Sequence, residues 1–204
     1  MKGNSFIHSV LVFALIAITV SCGPKKTLSP EKYVKWCDNP DNGLVVKKDL
    51  GQFSFTLCYT PPEYLAVKEL GKRVELNSTI LDSAVKEYSD LQYFTFRMGS
   101  VNEGDFLKQE ITTEQDYFDR IHYYNSQVNK DIFLVDGNDT LKCVMHHFER
   151  TYSVAPYDNL LLAFEKGKGN GSKKMIYNDH ILGTGPVIIT ISQEAINNIP
   201  HISL

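Results

Sequence analysis

Long apolar runs, paired cysteines, tryptophan and excess charge of either sign are all scarce in this chain of 204 residues. Val10 to Val20, broken only by Thr19, is its main apolar stretch. A helix that crosses a bilayer core needs about 20 apolar residues, so this stretch is too short to be a permanent membrane span. The 4 cysteines show no C-x-x-C or Cys/His spacing, which leaves a structural zinc site unsupported. Basic residues number 21 against 24 acidic ones, and no basic patch stands out, which argues against a nucleic-acid partner. A G-x-S-x-G elbow, a Cys–His pair in a recognisable context, a phosphate-loop glycine spacing and an internal repeat are all missing.

The N-terminus, by contrast, is informative. Lys2, the apolar stretch and the run Thr19-Val20-Ser21-Cys22-Gly23 follow the order of an export signal. That last run resembles the lipobox of bacterial lipoproteins, with a small residue before the cysteine and glycine after it. Thr19 stands where the family prefers leucine, as in the relaxed lipoboxes of Bacteroidota. The resemblance implies that residues 1–21 are a signal peptide and that Cys22 is the lipidated first residue of the mature chain. It also implies a diacylglyceryl thioether and an N-linked acyl chain of the palmitate type, enough for stable anchoring. Gly23 is not the aspartate that retains enteric lipoproteins in the inner membrane, so the outer membrane is the expected address, on either face. Loss of the signal removes Lys2 and no acid, leaving the mature chain one charge more negative than the −3 of the whole.

Residues 22–28 read as a lipidated tether that reaches about 20 Å when extended, a short leash. Lys25 and Lys26 sit beside the anchor, either solvated or against anionic headgroups at about 1 kcal/mol each. Residues 29–204 suit one globular domain, large enough to bury a core without staples. Ser29-Pro30-Glu31 opens a helix that stops at the turn residues 38–43. A hairpin follows over 44–60, in which Phe53, Phe55, Leu57 and Tyr59 alternate with polar residues. Helices are expected over 61–70, 78–88 and 112–125, with a short one from Gln193. Further strands are expected over 91–98, 131–135, 141–151, 160–165 and 187–192. The pattern gives an α+β class: a largely antiparallel sheet with three or four short helices.

Candidate chemistry centres on Cys143-Val144-Met145-His146-His147-Phe148-Glu149-Arg150. On a regular strand Cys143, Met145, His147 and Glu149 share one face, with Glu149 able to orient His147. Strand rise spreads Cys143 and Glu149 too far for one ion, so a metal would need His122, His180 or His201 brought in by the fold. Gly167 to Ser172, followed by Lys173 and Lys174, reads as an exposed hairpin tip. Asp82-Ser83-Ala84 and Asp139-Thr140-Leu141 resemble the O-glycosylation sequon of Bacteroidota, and Asn77 reads as a helix cap. Cys37, Cys58 and Cys143 are odd in number; a Cys37–Cys58 bridge and three buried thiols are both open. Tyr88, Tyr93, Phe94, Phe96, Tyr117, Phe118, Tyr123 and Tyr124 crowd the middle of the chain, as core or as interface.

Catalytic, cofactor and metal residues are not assigned, and Cys22 is the lipidation site. The leading expectation is a non-enzymatic accessory lipoprotein that docks on an outer-membrane protein complex. A binder of a small or lipidic ligand is the second, and a hydrolase or metal enzyme around His147 and Glu149 is the third.

Overall fold

Strand alternation in the middle of the chain decides the architecture. In Phe53–Thr60 (β3) and Leu91–Ser100 (β4) the side chains Phe53, Phe55 and Leu57, and Phe94, Phe96 and Met98, turn to one face and lie at most 3% exposed. The computed structural model describes residues 25–71, 76–102, 104–152, 154–169 and 171–204. Chain order continues this pattern: β1 (Thr27–Leu28), α1 (Pro30–Asp38), β2 (Val45–Leu50), β3, α2 (Pro62–Leu70), α3 (Ser78–Glu87), β4, and α4 (Glu114–Ser126). Then come β5 (Ile132–Asp136), β6 (Asp139–Glu149), β7 (Tyr157–Glu165), β8 (Lys173–Asn178), β9 (Pro186–Ile191), α5 (Gln193–Asn197) and β10 (His201–Ile202).

Strands β2 to β9 form one 8-stranded sheet in the order β2-β3-β4-β7-β6-β5-β8-β9, and every pairing in it is antiparallel. It curls until its two edges approach, where Lys48 Nζ on β2 donates to the Ile188 carbonyl of β9 at 3.1 Å. The fold is therefore α+β on a near-barrel antiparallel sheet. Its interior is filled by its own side chains. Phe96 and Tyr177 come from β4 and β8, which are not neighbours, yet their rings meet at 5.8 Å. Tyr124 of α4, fully buried, closes the stack against Phe106 and Phe148 at 5.6 and 5.3 Å. Each such side chain contributes about 1.5–3 kcal/mol of hydrophobic stabilisation.

Connections divide by end. The segments that carry α1, α2, α3 and α5 all leave the end where β4 begins. There β1 pairs in parallel with β10, Thr27 against His201 and Leu28 against Ile202, so the last residues of the expected tether join the fold. A smaller core of Ala66, Val67, Leu81 and Ala84, with Ile202 against it, fastens these helices together. This is the proximal end, since the chain enters it from the N-terminal side. At the distal end lie the loops after β4 and β6, and the turn that precedes β9. Three strands were not expected from the sequence: β8, whose lysine-rich start masks its alternation, and the two-residue β1 and β10.

Candidate functional site

The segment singled out for chemistry forms β6, but its two faces are not the regular ones. The register with β7 shifts between Cys143 and Met145, a β-bulge. Val144 and Met145 both end up exposed, and Cys143 turns inward to 6% exposure, its Sγ 3.1 Å from the Met145 carbonyl. The bulge thus corrects the expected face: Cys143 lies in the core while His147 and Glu149 point outward. Glu149 receives only a long contact of 3.4 Å from Asn159 Nδ2. His146, half-buried, meets the Asn125 carbonyl at 3.1 Å. His122 lies beside Ser126, and His180 lies beside Asp131, neither close to His147. Among the described residues no group of three His, Cys, Asp or Glu is placed to hold a metal ion.

The glycine-rich segment departs further from expectation. Rather than standing out as a hairpin tip, it folds back over a buried polar cluster at the proximal end. Asp136 (1% exposed), Lys173 and Gln92 take inward positions on β5, β8 and β4. The Asp136 and Lys173 side chains form an ion pair across directly registered positions of β5 and β8. Gln92 Nε2 donates to Asp136 Oδ2 at 3.0 Å and to the Glu165 carbonyl at 3.1 Å. A Cβ on Gly167 would stand 2.6 Å from Asp136 Oδ2, and one on Gly169 would stand 2.9 Å from the Asp136 carbonyl oxygen. Both positions therefore need glycine because the backbone lies directly on the carboxylate. The ion pair and the two Gln92 bonds tie β4, β5, β7 and β8 together from inside, so the cluster reads as an internal staple, at the cost of Gln92 Oε1 and Asp136 Oδ1 buried with no partner among the described residues. The signal that could have found it is polar residues at inward-facing positions of otherwise apolar strands.

The distal end presents a different surface. Arg150, just past β6, has its guanidinium between two rings, 5.5 Å from Tyr117 and 4.5 Å from Tyr152. It donates to Tyr117 Oη at 2.8 Å and pairs with Asp105 at 3.4 Å, while its Nε is buried without a partner. Phe118 packs edge-on to Tyr117. Beside this centre three apolar side chains stand out of the protein, Tyr152 at 73%, Val154 at 92% and Phe118 at 53% exposure, and Val101, after β4 at the same end, is 46% exposed. Tyr152 has a φ of +50°, a left-handed conformation that a bulky side chain rarely adopts. Thr151 holds the loop in that shape. Its N–H donates to Asp158 Oδ1 at 2.6 Å and its hydroxyl reaches the Ala155 and Tyr157 carbonyls at 3.1 and 2.8 Å.

The remaining expectations fall as follows. Phe94, Phe96, Tyr123 and Tyr124 belong to the core, Tyr88 and Tyr93 pack edge to face, and Tyr117 and Phe118 join the distal surface. Cys37, Cys58 and Cys143 are free and buried; burial pushes the Cys37 thiol up to about 12 and the Cys143 thiol up to about 11, so neither is poised to react. Asn77 does cap α3, accepting from the Ile80 N–H at 3.0 Å. Thr140 is exposed beside the β5–β6 turn, whereas Asp82-Ser83-Ala84 lies within α3 with Ala84 buried. The signal peptide and Cys22 lie outside the described residues. No protein-family model, curated protein or solved structure matches the chain.

Proposed function

We propose that this chain is an outer-membrane lipoprotein, anchored through Cys22, whose distal surface docks on a membrane protein partner. The observation that carries the reading is the exposed set Tyr152, Val154 and Phe118 beside Arg150, with Val101 at the same end, opposite to β1. An isolated exposed apolar residue needs no explanation, but a group of them on a braced loop marks an interaction surface. The left-handed Tyr152 adds to this, because the strained backbone sets the ring against Arg150 while leaving most of it exposed. Arginine and tyrosine are also the side chains that anchor interface centres. The partner face it fits is apolar at the middle, matching the exposed Tyr152, Val154 and Phe118. The filled barrel interior favours docking over an apolar ligand held inside it.

Photo-crosslinking tests the reading. A crosslinker placed at Val154 should capture one integral outer-membrane protein in stoichiometric yield, recovered also by gentle-detergent pull-down. The same probe at Thr140, exposed near the proximal end, should not. Capture at both positions alike, or at neither, would remove the distal surface as the docking site.

A further inference from the structure

On the outer face of the sheet, register sets Lys47 opposite Thr56, Thr56 opposite Arg97, and Arg97 opposite Asn159. Beside this row, Ser54, Ser100, Val101 and Tyr157 help to wall a cleft of about 210 Å³. The Arg97 guanidinium lies 5.1 Å from the centre of the Tyr157 ring, which fixes its plane. It makes no hydrogen bond or ion pair with any described residue, and its Nε is buried without a partner. A guanidinium carries five N–H donors in a fork that matches the oxygens of an anion, and leaving a buried donor unmet is costly. Lys47 has its own counter-charge in Asp49 at 3.1 Å, and Ser54 hydrogen-bonds the same carboxylate. Arg97 is therefore the uncompensated charge of the cleft.

We propose that this cleft binds a phosphate-type oxyanion carried by a small soluble molecule. The Arg97 fork takes two of the oxygens, and the hydroxyl of Thr56, directly opposite on the same face, flanks the rest. A planar carboxylate would be satisfied by the fork alone; the added Thr56 hydroxyl, and the ammonium of Lys47, whose pair with Asp49 is solvent-exposed and weak enough to be shared, suit four oxygens and a double charge. A headgroup of the anchoring bilayer is disfavoured by position, because the cleft opens on the distal half of the sheet while β1 enters at the proximal end. The inference stands independently of the docking reading.

Isothermal titration of the full chain in neutral-detergent micelles is the test, with inorganic phosphate as the probe and sodium chloride at matched ionic strength as the blank. The expected result is a saturable one-to-one isotherm that Arg97→Gln weakens by about tenfold. Arg97→Lys, which keeps charge but not the fork, should fall between the two, and circular dichroism checks that both variants are folded. Short-chain phosphatidylglycerol separates the sources. Saturation by that lipid and not by phosphate would overturn the soluble-ligand proposal, as would an isotherm unchanged in Arg97→Gln or no saturable heat at all.

Discussion

Tyr152 concentrates the functional reading in one residue. Its left-handed backbone costs about 1–2 kcal/mol relative to a residue free to adopt it. Tyr152→Gly should therefore stabilise the protein, by about 1 kcal/mol in urea denaturation, while abolishing recovery of the membrane partner. Gain of stability with undiminished partner recovery would show that the ring is idle. Asp136 is the opposite case, a residue the fold cannot lose while Lys173 keeps its charge. Removing one member of a buried ion pair leaves the other uncompensated, at about 3–5 kcal/mol. Asp136→Ala should lower the urea midpoint accordingly, whereas Asp136→Leu with Lys173→Met should recover much of the loss. If the single change costs less than 1 kcal/mol, as a surface pair would by the rough scale for exposed ion pairs, the cluster is no staple.

Among the elements, α4 shows how local chemistry fixes one boundary of the fold. Thr113 accepts from the Asp116 N–H at 3.1 Å while Asp116 Oδ2 accepts from the Thr113 N–H at 2.8 Å, a reciprocal capping box. The Thr112 hydroxyl joins at 2.9 Å, and these bonds hold the Asp116 carboxyl at about 2. A carboxyl depressed by folding stabilises the structure above its ordinary value of about 4 and loses that contribution as pH falls toward its folded value. The first turn of α4 should therefore fray between about pH 4 and pH 2, read from the Cα chemical shifts of residues 114–117. Thr113→Ala should cost about 1 kcal/mol in urea and blunt that acid transition. An unaltered transition would mean that the cap does not set it. β6 makes the complementary point. Its composition announces a strand, but one extra residue at the bulge reverses Cys143 relative to His147, and nothing local in 143–150 signals where the bulge falls.

For the molecule as a whole, the two ends differ in structure. β1 and the helices gather where the chain enters, and the exposed aromatic surface lies at the far end of strands as long as the 10-residue β4. At about 3.3 Å per residue that is a separation of roughly 30 Å. On the proposed reading, the distal surface would stand off the bilayer by that length and meet the part of the partner that projects from the membrane. Cys22→Ala should abolish labelling by a radioactive palmitate precursor and release the protein from the membrane fraction. Continued labelling would place the lipid elsewhere, and persistent membrane association without label would point to docking strong enough to hold the chain by itself.

Period-two alternation in 53–60 and 91–98, the helix start at Ser29-Pro30, the caps at Asn77 and Thr113, and the turn residues after Asp38 were enough for the sequence to determine the fold class and most elements, because they act through neighbouring residues. The expected export signal and Cys22 were likewise read from a contiguous run. Tertiary structure alone decided the closing of the sheet toward a barrel, the inward turn of Cys143, the seating of Gly167 and Gly169 on Asp136, and the meeting of Arg150 with Tyr117 and Tyr152. Arg97 acquired its cleft in the same way, from strands β2, β3 and β4 laid side by side. Each of these depends on groups distant in the chain, whose placement follows from strand order and register, and no local periodicity encodes either one.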